Sequence, residues 1–294
     1  MSGLQFYIAN AFSTDPYGGN PAVVIPVKEF PEDAVMQSIA KNFNQPMVAF
    51  LRATGSDSEV ANFEVRWFTP VNESKLCGHA TIASSHLLFS TPSLLPSSAP
   101  ILNYRTASGH VLTARKDGDW IEITMPTGTV KIPSPEEFER IAAVIRQALG
   151  EDVTVKHIEV GGEGYEHYLL AEIEEADNLE GRRPNHDAFI NRDSQKATGH
   201  WVNIITSASS VPGVSFVTRM FAPGAGIPED HVCGSANCFL GPYWSKKLEK
   251  GDGVMISKQV SQRGGTLRVS WSEKDSILTL GGQATVVAKG ELLY

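Results

Sequence analysis

Short runs in which apolar and polar residues alternate dominate this chain. Each predicts a half-buried strand, because successive strand side chains point to opposite faces. On this pattern strands fall near residues 4–9, 22–27, 63–68, 101–104, 109–115 and 120–125. A second set falls near 155–160, 168–172, 201–207, 214–221, 254–259, 266–271, 276–280 and 283–289. Helical spacing is rarer. After Pro31, the residues Val35, Met36, Ile39 and Ala40 give one apolar face. Residues 79–89 are small and apolar on all sides, which predicts a buried helix with its N-terminus at Cys77. Ser134-Pro135-Glu136-Glu137 reads as a helix start, with Ser as N-cap, Pro at the first position and a glutamate placed for a capping box; Gly150 closes it. A last helix begins near Cys233 and continues through 239–248. Residues 90–100, rich in Ser and Pro, read as an exposed loop.

The two strand sets share a repeated motif. Arg66-Trp67-Phe68-Thr69-Pro70 is followed after six residues by Cys77-Gly78-His79-Ala80. Arg219-Met220-Phe221-Ala222-Pro223 is followed after nine by Cys233-Gly234-Ser235-Ala236. Glu73 and Glu229 each stand four residues before the cysteine. The period is far longer than the roughly 20–50 residues of a solenoid repeat. It predicts an α+β chain of two similar domains, each a strand-rich module wrapped on one apolar helix, with a boundary near 126–134. The domains are taken as 1–128 and 129–284.

Composition narrows the function classes. At 294 residues the chain is long enough for two cores. A net charge of −8 with dispersed basic residues argues against nucleic acid or an anionic membrane as partner, while local arginines still suit a small anionic substrate. There is no apolar run of the roughly 20 residues a membrane helix needs, and no basic-then-apolar leader at Met1. Three cysteines are an odd count, which fits reduced thiols in the cytoplasm better than a disulfide framework. No zinc spacing, Walker loop, Rossmann glycine fingerprint or nucleophile elbow is present, so chemistry without a metal or cofactor is the simpler expectation.

The repeated loops carry the candidate chemistry. A cysteine at a helix start lies in the positive end of the dipole, where backbone N–H groups favour the thiolate. Gly78 and Gly234 allow close backbone approach to a ligand. Cys77 and Cys233 are therefore candidate proton carriers, with His79 and Asp230 as acid–base partners and Ser235 as a donor to a substrate oxygen. The competing reading makes each cysteine a small buried hydrophobe beside a tight turn; Cys238 is read that way. Gly18-Gly19-Asn20-Pro21 offers Gly19 and Asn20 to a carboxylate, or is simply a turn between strands. Gln262-Arg263-Gly264-Gly265 offers Arg263 to an anion, or is a hairpin turn.

Taken with Phe12, Asp15, Pro242-Tyr243-Trp244 and the motifs above, these segments resemble the PhzF-like phenazine-biosynthesis isomerases and share features with diaminopimelate epimerase and proline racemase. The resemblance implies two domains, each a curved, barrel-like sheet around a central helix, and a cofactor-free site at their junction. It also implies a homodimer and a C-terminal strand, about 285–294, that returns to the first domain. Isomerases of this group use a glutamate in a segment that here reads Phe43-Asn44-Gln45-Pro46-Met47-Val48-Ala49-Phe50. The glutamate position is Met47, which cannot move a proton. The usual Asp-Pro is Asp230-His231, and the usual Gly-Ser-Ala-His ends in Asn237. The expectation is an isomerase or epimerase of a small carbonyl- or carboxylate-bearing metabolite with a non-standard acid–base set, with Met47 and His231 lining the site. The alternatives are a cyclase or double-bond isomerase, or a binding protein without turnover.

Overall fold

The structure, a computed structural model, describes residues 3–95, 99–190 and 197–293. Residues 96–98 of the expected loop, Met1 and Ser2 of the N-terminus, and Tyr294 lie outside the described residues. In chain order the elements are β1 Gly3–Ala11, β2 Asn20–Val27, α1 Asp33–Phe43, β3 Met47–Ser56, β4 Val60–Phe68, β5 Glu73–Ser74, α2 Gly78–Ser90, β6 Ile101–Thr106, β7 Val111–Asp117 and β8 Trp120–Pro126. They continue as β9 Val130–Lys131, α3 Pro135–Leu149, β10 Val155–Gly161, β11 Tyr168–Ile173, β12 Val202–Ala208, β13 Phe216–Phe221, α4 Asn237–Lys247, β14 Met255–Gln259, β15 Gly265–Ser272, β16 Ile277–Gly282 and β17 Ala284–Leu293. The class is α+β, and the chain divides into two units. One holds Met1–Met125, Gly265–Leu267 and Thr279–Tyr294; the other holds Pro126–Gly264 and Arg268–Leu278.

The first unit is built around α2. The helix is buried from Ala80 through Ser85 and again at Leu87 and Leu88, so it has no polar face to show water. Strands β1, β2, β3, β7 and β17 pack against it. Strand β17 pairs antiparallel with β1 along its whole length, from Gly3 opposite Leu293 to Ala11 opposite Ala284. Strands β2 and β3 are parallel and joined through α1, which covers the far face with Met36, Ile39 and Ala40. Strands β3 and β4 are antiparallel, and β4 and β6 are parallel across the α2 crossover.

Strand β3 is an element the alternation did not predict. Its start, Met47-Val48-Ala49-Phe50-Leu51, is apolar without interruption, because both faces are covered and there is no wet side to demand polar residues.

The second unit repeats the pairing order. Strands β10 and β11 are antiparallel, β11 and β12 parallel, β12 and β13 antiparallel, and β13 and β14 parallel across α4. Helix α3 begins as its sequence demands: Ser134 Oγ accepts from the Glu137 N–H at 3.2 Å, and Gly150 closes the helix at φ 130°. Its buried face, led by Ile141, Ile145 and Leu149, packs on Ile158, Leu169 and Ala171. Helix α4 takes the opposite face. Trp244 stacks on Phe216 at 5.4 Å and donates its indole N–H to Thr206 Oγ1 at 3.0 Å. Gly241 lets the sheet approach closely, since a Cβ there would stand 2.4 Å from Leu278 Cδ1. Pro242 lies inside α4 and has no N–H for the Cys238 carbonyl. The Gly128 N–H donates to that carbonyl at 3.1 Å, so the helix continues without an orphaned acceptor.

Candidate active site

The repeated motif builds the same brace in both units. Arg66 holds Glu73 through Nε at 2.8 Å and Nη2 at 2.6 Å. Arg219 holds Glu229 through Nε at 2.6 Å and Nη2 at 2.8 Å. Each guanidinium also lies over the phenylalanine two residues on, Arg66 over Phe68 at 5.2 Å and Arg219 over Phe221 at 5.3 Å. The arginine leaves the end of a strand and the glutamate leads into the cysteine loop. The Arg-x-Phe…Glu part of the motif therefore fixes where the loop starts.

The loops themselves also correspond. Cys77 Sγ lies 3.4 Å from His79 Nδ1, and Cys233 Sγ lies 3.4 Å from Ser235 Oγ. Four residues after each cysteine, a side chain returns to its carbonyl: Thr81 Oγ1 donates to Cys77 O at 2.7 Å and Asn237 Nδ2 to Cys233 O at 3.1 Å. Both thiols are buried, at 6% and 3% exposure.

In the first unit Cys77 is the N-cap of α2, with Gly78 buried as the first helical residue and His79 half-buried beside it. Met47 opens β3 opposite Ala22 of β2, and is buried. Asn20 and Gly19 lie one strand over and are also buried. Asn20 is the first residue of β2, opposite Ala11, while Gly19 has φ 71° and a virtual Cβ only 2.3 Å from Ala11 O. That position admits glycine for steric reasons alone.

In the second unit the turn through Gly234 precedes α4, which starts at Asn237 rather than near Cys233. The expected dipole effect on the thiol is reversed there. Burial pushes the Cys233 thiol well above its ordinary value, and the neighbouring Asp230 carboxylate, which hydrogen-bonds it, adds to the rise. Ser235 and a backbone N–H oppose this without overcoming it. At neutral pH Cys233 is a protonated thiol. Asp230 is held by its backbone N–H to Met220 O at 3.0 Å. His231 is half-buried, and burial together with Arg263 lowers its pKa, so it favours the neutral imidazole. Half-buried Arg263 thus sits within electrostatic reach of His231, in the turn that Ser261 ties to the His231 carbonyl.

Two residues that contact this loop from neighbouring strands escaped sequence reasoning. Gln259, fully buried, accepts from the Cys233 N–H at 2.8 Å and donates to Asp230 O at 2.7 Å, so one amide fixes both. Tyr168 hydrogen-bonds Ser235, and its phenol is pushed up to about 12 by burial and then by Cys233. Neither residue carries a local motif; strand pairing alone brings them to the loop. Among the described residues no cluster of His, Cys, Asp and Glu is arranged to hold a metal ion, and no helix is long and apolar enough to cross a membrane.

A curved sheet around one apolar helix, repeated with a Cys-Gly loop at matching places, defines the epimerase-like fold. The model of the phenazine biosynthesis-like protein family, PhzC-PhzF, matches residues 9–290. An uncharacterized isomerase of Halalkalibacterium halodurans is 34% identical over 293 residues, covering 100% of both chains. The crystal structure of a PhzF family phenazine biosynthesis protein from Enterococcus faecalis superimposes with a TM-score of 0.81 at 30% identity, again over 100% of both chains. A probable proline racemase from Agrobacterium radiobacter, solved with bound carbonate, shares the fold at TM-score 0.59 and 12% identity, over 99% of this chain and 93% of that one. The chain belongs to the PhzC-PhzF phenazine biosynthesis-like family.

Proposed function

We propose that this protein is a cofactor-independent isomerase that moves a proton on a small carbonyl- or carboxylate-bearing metabolite, with Cys77 and Cys233 as the proton carriers. The observation that carries this is the matched loop geometry: in each unit a buried thiol stands 3.4 Å from a side chain able to exchange a proton, His79 or Ser235. Isomerase names among relatives and epimerase-fold neighbours support the reaction class. Met47 is a thioether at the position of the family glutamate, so the general base must lie elsewhere.

The reading assigns unequal roles. His79 takes the Cys77 proton, and the Cys77 thiolate removes the proton beside the substrate carbonyl. The electrons of the C–H bond pass into an enolate, which backbone N–H groups at Gly78 and Gly234 stabilise. Cys233, resting as a thiol, returns its own proton to the carbon skeleton and is left as the thiolate for the reverse cycle. Asp230 and Ser235 hold that thiol. Asn20, Gly19 and Arg263 bind the substrate carboxylate, and Met47 and His231 line its apolar and neutral flanks. The proposal requires both loops to act on one bound molecule, in a homodimer of the reducing cytoplasm. A second reading, a binding protein without turnover, is favoured by buried Met47.

A panel of small amino, hydroxy and keto acids incubated with the protein in deuterated water separates these readings. Deuterium at one carbon, lost in both Cys77→Ala and Cys233→Ala, supports the two-thiol reaction. Full exchange in either variant removes that mechanism, and saturable binding without exchange supports the second reading.

A further inference from the structure

The second unit carries a pocket of about 410 Å³ along α4. Its size is within the range of small-molecule sites. One wall is apolar: Pro242 and the edge residue Val130, with buried Phe239 behind them. Another is a stacked pair, His157 on Tyr243, with ring centroids 5.2 Å apart and an interplanar angle of 18°. Two lining residues, Tyr243 and Lys247, are tied into a buried polar network. Glu172, 1% exposed, accepts from both Tyr243 Oη and Lys247 Nζ, which ties its charge into the fold.

Two opposite charges remain at the rim. Lys246 is exposed and only loosely held, its nearest carboxylate being Glu273 at 3.6 Å while its ammonium lies 5.1 Å over Trp271. Glu159 is largely buried and gives one oxygen, Oε1, to His157 at 3.3 Å. A cation and an anion lining one pocket with an apolar wall complement a molecule that carries both charges on a ring-bearing skeleton.

We propose that this pocket is a second ligand site that takes an α-amino acid with an aromatic side chain. The carboxylate meets Lys246, the ammonium meets Glu159, and the ring lies against Pro242 and Val130. The site is independent of the isomerase reading. Phe239 nevertheless also stacks on Tyr168 at 4.7 Å, so occupancy touches the residue that reaches Ser235.

The test is a titration of the full chain, followed by ligand-observed NMR, with three probes: phenylalanine, 3-phenylpropionate and phenethylamine. Phenylalanine is expected to saturate and to bind about tenfold more tightly than either single-charge analogue, the weight of one charge-assisted contact. Lys246→Met lowers the affinity for phenylalanine and phenylpropionate and leaves phenethylamine unchanged. Glu159→Gln does the converse, with the melting temperature of each variant confirming its fold. Cys233→Ser leaves all three titrations as they were. The proposal is overturned if no probe saturates, if phenylpropionate binds as tightly as phenylalanine, if Lys246→Met changes nothing, or if Cys233→Ser abolishes binding and so places the ligand in the cysteine loop. Phenylalanine binding in a chain that exchanges no deuterium would keep this site while removing the isomerase.

Discussion

Arg219 grips Glu229 with two parallel hydrogen bonds of 2.6 and 2.8 Å while 5% exposed, and it spends its remaining nitrogen on the Arg182 carbonyl at 2.7 Å. Arg66 makes the matching grip on Glu73, but its side chain is 18% exposed and its partner's 31%. Solvent exposure sets the difference in cost. Glu229→Ala leaves a buried guanidinium without its counter-charge and is expected to lower unfolding stability by about 3 kcal/mol. Glu73→Ala is expected to cost about 1 kcal/mol or less, because water and Asp33 still solvate Arg66. Urea unfolding of both variants measures this. Equal costs would show that the two braces are not distinguished by burial.

The brace was visible in the sequence as a recurring Arg-x-Phe-x-Pro…Glu spacing, though read there as part of a chemical loop. In the structure Arg, Phe and Glu brace the backbone, while Cys, Gly and the next residue form the loop proposed to carry the chemistry. Helix α2 was legible because an all-apolar helix has no ambiguity about burial, and α3 because Ser134, Pro135 and Gly150 mark its ends. Strand β3 was not, since a run buried on both faces loses the alternation that announces a strand. The sign of the Cys233 shift was also hidden. A motif places a thiol near a helix start, but depth of burial and the side chain of Asp230 decide its ionisation, and both come from tertiary packing.

Cys233 gives a pH dependence with a definite sign. Its folded pKa lies above the ordinary 9.0, so in alkali the unfolded chain releases a proton that the folded chain keeps. Stability from this group is complete below pH 9.0 and declines as pH rises above it. Tyr168 and Cys238, each raised to about 12 by burial, act in the same direction. Cys233→Ser should therefore flatten the alkaline fall in stability by up to about 1.4 kcal/mol per pH unit between pH 9.0 and 11. The native thiol should also resist iodoacetamide at pH 7, while the urea-unfolded chain reacts readily. Rapid alkylation of native Cys233 at neutral pH would show that the thiol is neither buried nor protonated.

The Gln259 side chain touches both the Cys233 N–H and the Asp230 carbonyl. Gln259→Leu keeps the volume and removes the acceptor of the buried Cys233 N–H and the donor to Asp230 O, at an expected cost of about 2 kcal/mol. Gln259→Glu keeps the acceptor for Cys233 N–H and loses the donor to Asp230 O, and it adds a buried carboxyl. The informative readout is deuterium exchange at a temperature where both variants remain folded. If Gln259 positions the loop, exchange falls in both variants at that temperature. Exchange at the wild-type rate in folded Gln259→Leu would reduce the residue to a packing role.

Met47→Glu tests the proposal that the thiols, rather than a carboxyl at position 47, supply the base. Met47 is 6% exposed at the first residue of β3, in parallel register with Ala22. A carboxyl placed there is desolvated, and its pKa rises above the ordinary glutamate value of about 4.3. The folded state then holds the proton more tightly than the unfolded chain. The variant's stability deficit should therefore be smallest near pH 4 and grow as pH increases through the carboxyl's folded value, reaching about 2–4 kcal/mol at pH 8. If the thiols carry the proton in the native protein, Met47→Glu in a Cys77→Ala background adds a second possible base without restoring the first. Deuterium exchange on the native substrate then stays absent or changes its stereochemical face. Recovery of the native exchange pattern by that double variant would show that a carboxyl at position 47 does the work assigned here to Cys77, and would return the mechanism to the family's glutamate chemistry.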